Sequence, residues 1–543
     1  MKTLITILIL LTSFEILTAQ VTQEWVATYN NGPGDESDGG ELVAVDGLGN
    51  VYVTGRSIGS ITSDDYVTLK YNIEGDQQWV QRYNGPGNLI DKVRSIAIDN
   101  SGNIYVTGIS YGSGTNYDYA TIKYSSAGFQ QWVARYNGPA NFRDEAQSVA
   151  VDGSGNVYVT GSSSGSGSSD YVSIKYNSEG VEQWVARFSA SENSDDGAYA
   201  IALDVLGNVY VTGSSHDSGT TYDYVTIKYN SSGIEQWISR YNGTGNGDDY
   251  SSSIVIDNSG NIYITGYSIG IGTDFDYASI KYNSAGIQQW VNRYNGSGSE
   301  DDYAKSIVVD ASENVYVTGR SFGIGSLEDY ATIKYNSIGD QQWVSRYNGP
   351  GNSYDYPNEI VVDDANNIYI TGLSFGSGTS FDCATIKYNS DGIQKWVARY
   401  NGLGNESDGA KSIVLTSSEN IIVTGFSNNS SGTDTYCITI KYSQSVGINQ
   451  LSSGVPDQFS LSQNYPNPFN PTTKIEFSLP EKSFVKLKVY DITGKSVTEL
   501  VNESLSAGTF QYIFNAGDLT SGLYFYKLKT DKFSETKRMI LLK

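Results

Sequence analysis

The chain has 543 residues, with 59 Asp+Glu against 35 Lys+Arg for a net charge of −24, and holds one His, two Cys, 59 Gly, 43 Tyr and eight Trp. A single imidazole, His216, excludes a His-based metal cluster and leaves any Ser–His–Asp or Cys–His mechanism dependent on that residue. Two Cys exclude thiolate clusters and a disulfide-dense scaffold, and so acidic a surface repels nucleic acid and anionic lipid, so neither is expected as a partner.

Lys2 is followed by an apolar run from Leu4 to Leu11, then by Leu17-Thr18-Ala19 before Gln20, the layout of a secretory signal peptide over residues 1–19. The run is too short to span a bilayer. No other stretch reaches that length, so export without a transmembrane segment is expected.

From there one unit is written repeatedly. Trp25, Trp79, Trp132, Trp184, Trp237, Trp290, Trp343 and Trp396 stand 52 to 54 residues apart. A (Val/Ile)-Thr-Gly tripeptide ending at Gly55, Gly108, Gly161, Gly213, Gly266, Gly319, Gly372 and Gly425 keeps nearly the same spacing, as does a Lys-Tyr pair ending at Tyr71 in the first unit and Tyr442 in the last. Three markers thus give eight copies, the signature of a repeat architecture. Within Ser95–Asn137 four β-type runs emerge: Ser95–Asp99, Ile104–Thr107, Tyr119–Tyr124 and Gln130–Tyr136, named A to D here. Asn100-Ser101-Gly102-Asn103 and Ser125-Ser126-Ala127-Gly128 supply hairpin turns. Four antiparallel strands per unit predict the blades of an all-β, eight-bladed β-propeller over residues 20–442. The first run after the leader, Glu24–Tyr29, is a lone D strand, and the last unit has A, B and C but no D. The N-terminal strand is therefore expected to complete the last blade and remove the open edge of the array.

These residues, for example Ala146-Gln147-Ser148-Val149-Ala150-Val151-Asp152-Gly153-Ser154-Gly155-Asn156-Val157-Tyr158-Val159-Thr160-Gly161, resemble the bacterial SBBP-type β-propeller repeat family over roughly residues 24–442. The resemblance implies a propeller and says almost nothing about ligand, since propellers host many activities. The stretch from Lys387 to Trp396 is also similar to the tryptophan-docking motif of quinoprotein dehydrogenases, but their adjacent half-cystines have no counterpart here.

Of the 43 Tyr, 28 lie at four fixed repeat positions and read, like the eight Trp, as packing elements between twisted blades. Asp is also locked to the repeat. One ring, Asp38, Asp91, Asp144, Asp196, Asp249, Asp302, Asp355 and Asp408, falls in the D-to-A connections. A second, Asp65, Asp118, Asp170, Asp223, Asp276, Asp329 and Asp382, ends the B-to-C connections, with Thr435 in the eighth unit. Both lie toward one face, which is expected to be acidic, and the first ring is the candidate binding set. A cap on each turn explains these residues; Ca²⁺ is the sharper alternative, disfavoured because no compact D-x-D-x-D-G loop occurs, and no other cofactor is expected. A third ring, Asp46, Asp99, Asp152, Asp204, Asp257, Asp310 and Asp363, with Thr416 last, opens the A–B hairpins. Cys383 and Cys437 occupy equivalent positions in neighbouring units; at about 4.8 Å per strand they should lie on the order of 10 Å apart, beyond disulfide reach. His216 is expected in a B–C loop.

After about Val455 the repeat stops and the charge changes sign: residues 456–543 carry net +2, against −26 for residues 20–455. A linker over 443–458 and a small Ig-like β-sandwich over 459–543 are expected from its short alternating strands. The module closely resembles the type A C-terminal sorting domain of the type IX secretion system, through Tyr465, Pro466, Asn467, Pro468, Phe469, Asn470 and Pro471, then Val489-Tyr490-Asp491 with Gly494, Ser521-Gly522-Leu523-Tyr524, and Lys543 at the end. That resemblance implies handling by the type IX machinery and release or attachment at the cell surface. The combined expectation is a secreted or surface-displayed, non-enzymatic scaffold for adhesion, with a glycan or protein ligand. The alternative is an extracellular enzyme, a hydrolase or quinoprotein-like oxidoreductase, which would require one unequal, converging site among near-copies.

Overall fold

The computed structural model describes residues 21–542 apart from 32–37, 60–62, 166, 192–193, 217–218, 220, 299, 433, 445–448, 453 and 517–518. The expected leader and Lys543 therefore lie outside the described residues. No helix is long and apolar enough to cross a membrane among the residues described.

Residues 22–443 form one unit, built among the described residues from eight four-stranded sheets. In the second of them, strand A is Asp91–Ile98, B is Ile104–Tyr111, C is Tyr117–Tyr124 and D is Gln130–Tyr136, paired antiparallel in that order. B and C stand between two neighbouring sheets, which is why Ile104, Tyr105, Val106, Ala120 and Ile122 are all fully buried. The A strands touch their neighbours all the way round, Asp38–Val45 meeting Asp408–Leu415, and so line the axis of a closed ring. Val21–Tyr29 is hydrogen-bonded to Thr435–Gln444 as the fourth strand of the last sheet, as the strand order of the repeats predicts.

One set of contacts joins successive sheets. The Trp79 Nε1 donates to Ser126 O in the C–D turn of the next sheet at 3.2 Å, and its ring lies where a Cβ on Gly128 would be, 2.8 Å away. Gly128 also has φ +87°, so turn geometry and the docked indole both demand glycine there. Trp25 makes the equivalent bond to Ile73 O at 3.1 Å, and Lys441 donates to the same carbonyl at 3.1 Å, so the composite sheet docks on the first as a continuous one would. At its other side the docking fails for a topological reason: its C and D strands share no turn. Trp396 accordingly is buried with its Nε1 lacking a partner among the described residues.

The three Asp rings take three different roles. Asp99 Oδ1 accepts the N–H groups of Ser101 and Asn103, each at 2.9 Å, while Oδ2 accepts Asn103 Nδ2 at 2.8 Å and Tyr105 Oη at 2.9 Å. Desolvation opposes ionisation here, but those bonds outweigh it and hold Asp99 below the usual carboxylate range. In the second ring each Asp receives a D-strand arginine, from Arg82–Asp65 at 3.0 Å to Arg399–Asp382 at 2.7 Å, once in each of seven sheets. In the composite sheet both partners change together, to Thr28 and Tyr436, because the register sets Tyr436 opposite Ser427 as it sets Asp382 opposite Ser374, one residue on from the expected Thr435.

The first ring departs from its expected place. These aspartates open strand A rather than lie in the connections, and they are 0–2% exposed. Asp91 Oδ2 accepts Gly85 N at 2.6 Å, and the Ser110 hydroxyl also bonds its carboxylate. Burial pushes Asp249 and Asp302 up to about 6, and Asp91, Asp144, Asp355 and Asp408 in the same direction. A buried ring that braces the D–A loops cannot serve as an open acidic binding face.

Residues from 444 onward form a second unit with two four-stranded sheets. One contains Thr472–Leu479 and Gly508–Asn515, the other Ser483–Tyr490 and Gly522–Lys529. Their apolar faces meet in a core that includes Ile475, Phe477, Leu487, Val489, Tyr526 and Met539. Asn449–Ser452, inside the expected linker, pairs with Gly508–Asn515, so part of that stretch belongs to the sandwich.

Candidate functional site

Every A strand carries a β-bulge, and the extra residue differs from sheet to sheet: Glu41, Arg94, Gln147, Tyr199, Ser252, Lys305, Asn358 and Lys411. A bulge re-aims a side chain. Ser252 Oγ and Asn358 Nδ2 reach the A-strand carbonyls of Ala304 and Ala410 in the following sheets, at 3.0 and 2.7 Å. Desolvation lowers the pKa of Lys305, and the charges of Lys411, two sheets away, and Arg320 lower it further. The bulged residues therefore look onto the axis. The VTG glycine is what admits the bulge: a Cβ on Gly108 would sit 2.1 Å from Lys92 O.

A chain of aromatic rings runs beside these residues across four consecutive sheets. His216 meets Tyr222 at 5.5 Å, and Tyr222 meets Tyr250 at 5.3 Å. Tyr267 then contacts Tyr250 at 5.5 Å, Phe275 at 5.2 Å and Tyr303 of the next sheet at 4.8 Å. The Arg320 guanidinium stands 4.3 Å above Tyr303 and 5.5 Å above Tyr356, a cation–π bridge between sheets. Tyr356 stacks on Phe381 at 5.7 Å, and Phe381 meets Phe375 at 5.3 Å. These rings are half-buried, with Tyr199 at 39% exposure beside them. Ile271 and Ile324, on B–C turns of the same sheets, are 80% and 84% exposed.

Charged groups are threaded through the arc. Glu328 is buried, 3.3 Å from Arg320 Nε. Burial pushes its carboxyl up against the opposing pull of Arg320 and a bond from the Tyr356 hydroxyl, and Asp301 raises it further. Asp301 itself accepts Tyr303 Oη at 2.7 Å and Phe275 N at 3.2 Å. Of the 23 Lys and Arg in residues 20–455, fifteen sit in register in C and D strands. Seven of the other eight gather on or beside the A and B strands: Arg56, Lys92, Arg94, Arg143, Lys305, Arg320 and Lys411. Arg143 and Arg320 are paired with Glu145 and Glu328.

The arc is absent from the sequence-level candidates, although a signal for it exists. Ten propeller tyrosines fall outside the four fixed positions, and all ten lie at this end of the sheets. His216 ends a B strand, Val209–His216, instead of lying in a loop, and so joins the arc. Cys383 and Cys437 are free and buried. Among the described residues no group of three or more His, Cys, Asp and Glu side chains is arranged to hold a metal.

In the C-terminal unit the proline-rich entry is pinned from both sides. Phe469 is buried against Phe514 and exchanges backbone bonds with Ile540 and Leu542. Asn467 Oδ1 accepts Ile540 N at 2.9 Å, and Asn464 N donates to Tyr526 Oη at 2.7 Å. Tyr465 is 78% exposed, and Pro466, Pro468 and Asn470 are exposed too, while the Pro471 carbonyl accepts Ala516 N at 2.9 Å. Gly494, at φ +80°, closes the turn that begins at Asp491, and Gly522 opens a strand.

Comparison with known proteins assigns both units. Residues 463–542 match the secretion system C-terminal sorting domain, and residues 78–115, 131–167, 183–219, 236–275 and 342–377 match the β-propeller repeat. No curated protein matches the chain. Among solved structures, an ulvan lyase of a polysaccharide lyase family is similar at 13% identity and TM-score 0.39, covering 69% of this chain and 95% of its own. A quinonprotein alcohol dehydrogenase-like protein from Bacteroides thetaiotaomicron is similar at 6% identity and TM-score 0.23, covering 68% and 96%. At such scores neither bears on ligand or activity. The chain is a β-propeller repeat protein whose type IX C-terminal sorting domain takes it to the cell surface or the medium.

Proposed function

We propose that the propeller is a non-enzymatic binding module, for adhesion at the cell surface, and that its ligand is a glycan held on the arc from Tyr222 to Phe381. The observation that carries this reading is the contiguity of half-buried rings across four sheets, at positions the repeat leaves free. Aromatic faces give a sugar ring large, rigid, low-entropy contact area, and nearby polar groups fix its orientation. The full chain, applied to a glycan array with and without Ca²⁺, should retain a family of related glycans in both conditions. A blank array removes the glycan and leaves a protein partner for the arc.

One observation favours a second reading. Glu328 has a raised pKa beside a second carboxylate, Asp301, and within reach of Tyr356, the environment of a general acid. An enzyme acting on a polysaccharide would lose its product formation on Glu328→Gln and keep its binding. No new reducing ends from any retained glycan would leave the module purely a binder.

A further inference from the structure

The ring carries −26 overall, yet its eight bulged residues carry three cations and one carboxylate, a local +2 turned toward the axis. Lys305 and Lys411 are the bulged residues of two A strands that line the axis two sheets apart, and desolvation followed by the charges of Lys411 and Arg320 depresses Lys305. Among the described residues neither lysine has an ion-pair partner; Lys411 lies 5.7 Å from the Phe426 ring, and the nearby Glu328 is taken by Arg320. Glu359, on the A strand between them in chain order, is committed to Ile413 N at 2.8 Å. Two lysines that repel each other, in a ring with twice as many acids as bases, raise the cost of folding unless something anionic meets them.

We infer that the glycan of the arc is an anionic polysaccharide, its sugar rings against Tyr303 and Tyr356 and its carboxylate or sulfate groups turned inward to Lys305 and Lys411. This rests on the glycan reading above and adds the substrate class. Arg320 spans the two tyrosines and holds them together across the sheets. A neutral polymer would gain the stacking and leave the lysines unanswered. A carboxylate or sulfate forms charge-assisted bonds with them, stronger than neutral ones and weakened by salt.

Affinity electrophoresis of the full chain in gels holding polygalacturonate, dextran sulfate or laminarin tests this directly. The expected result is retardation by one acidic polymer, a retardation that fades between low and high salt, with little effect of laminarin. Lys305→Gln with Lys411→Gln should weaken binding about tenfold or more with a melting temperature that does not fall and rises as the repulsion is relieved, whereas Lys395→Gln on an outer D strand should leave binding intact. Polygalacturonate alone identifies carboxylate as the partner, and dextran sulfate alone identifies sulfate. Retardation by laminarin that the lysine pair does not affect overturns the anionic ligand and spares the glycan reading. Acidic binding that survives the double substitution overturns the role of the lysines, and no retardation in any gel removes both.

Discussion

At the A–B end of the ring nearly every sheet offers the same Asx turn, with Asp99 and its counterparts bonded to an Asn and a Tyr, and the same indole docked on the next sheet's glycine. At the D–A end the residue after the strand-opening Asp is Gly39, Lys92, Glu145, Gly197, Tyr250, Tyr303, Tyr356 or Gly409. Both ends belong to the same strands, so folding alone does not account for the contrast. Uniformity marks where one sheet must fit the next, and variation marks positions released from that duty by the buried Asp, Ser and Arg beneath them.

The sharpest way to break this contrast is to open the ring. Deleting Val21–Tyr29 should expose the edge of the last sheet and abolish cooperative melting, and limited proteolysis should then cut near residue 430; an untouched last sheet would refute closure. Next comes Trp237→Ala at the uniform end, expected to cost about 3 kcal/mol in denaturant unfolding while the folded fraction binds ligand normally. A similar loss of about 3 kcal/mol is expected from Arg293→Thr, which strands the buried Asp276. Adding Asp276→Asn should recover most of it, because no buried charge is then left without its partner. At the variable end the pattern inverts: Tyr303→Ala should change stability by about 1 kcal/mol or less and weaken ligand binding by about 2 kcal/mol. Equal effects of Trp237→Ala and Tyr303→Ala on both measurements would erase the distinction between the ends.

The smallest effect is a pH dependence of opposite sign at the two ends. Asp249 and Asp302 are raised in the folded state to about 6, so the stability they contribute is complete below the unfolded carboxylate pKa and is lost as pH rises through about 6. Asp99, Asp152 and Asp204 are lowered; their contribution is present above the unfolded value and is lost as pH falls through the folded one. The melting temperature should therefore rise from pH 7 toward pH 5 and fall in stronger acid. Asp302→Asn should flatten the rise and leave the acid limb unchanged.

The ring was legible in the sequence because Trp25 to Trp343 each repeat one contact, so spacing and structure carry the same information. Even the lone strand ahead of the first unit revealed its partner. Spacing also found the Asp rings, but it could not show which way a carboxylate turns. Asp91 opens a strand and faces the Gly85 N–H, while Asp99 holds a hairpin. Strand ends were read short: B runs through Gly108 to Tyr111, since the glycine fits against the bulged A strand where any side chain would clash. The arc stayed hidden for another reason. Tyr267 and Tyr303 meet across two sheets at 4.8 Å, and 28 architectural tyrosines mask the ones that are not.

The composite sheet makes the order of synthesis matter. Ser443 bonds to Glu24, a residue 419 positions earlier, so the first strand made is the last to find its place. Any product that stops before Thr435 carries two raw strand edges, the feature that invites aggregation and proteolysis. Completion of the final repeat is thus the latch that closes both edges at once.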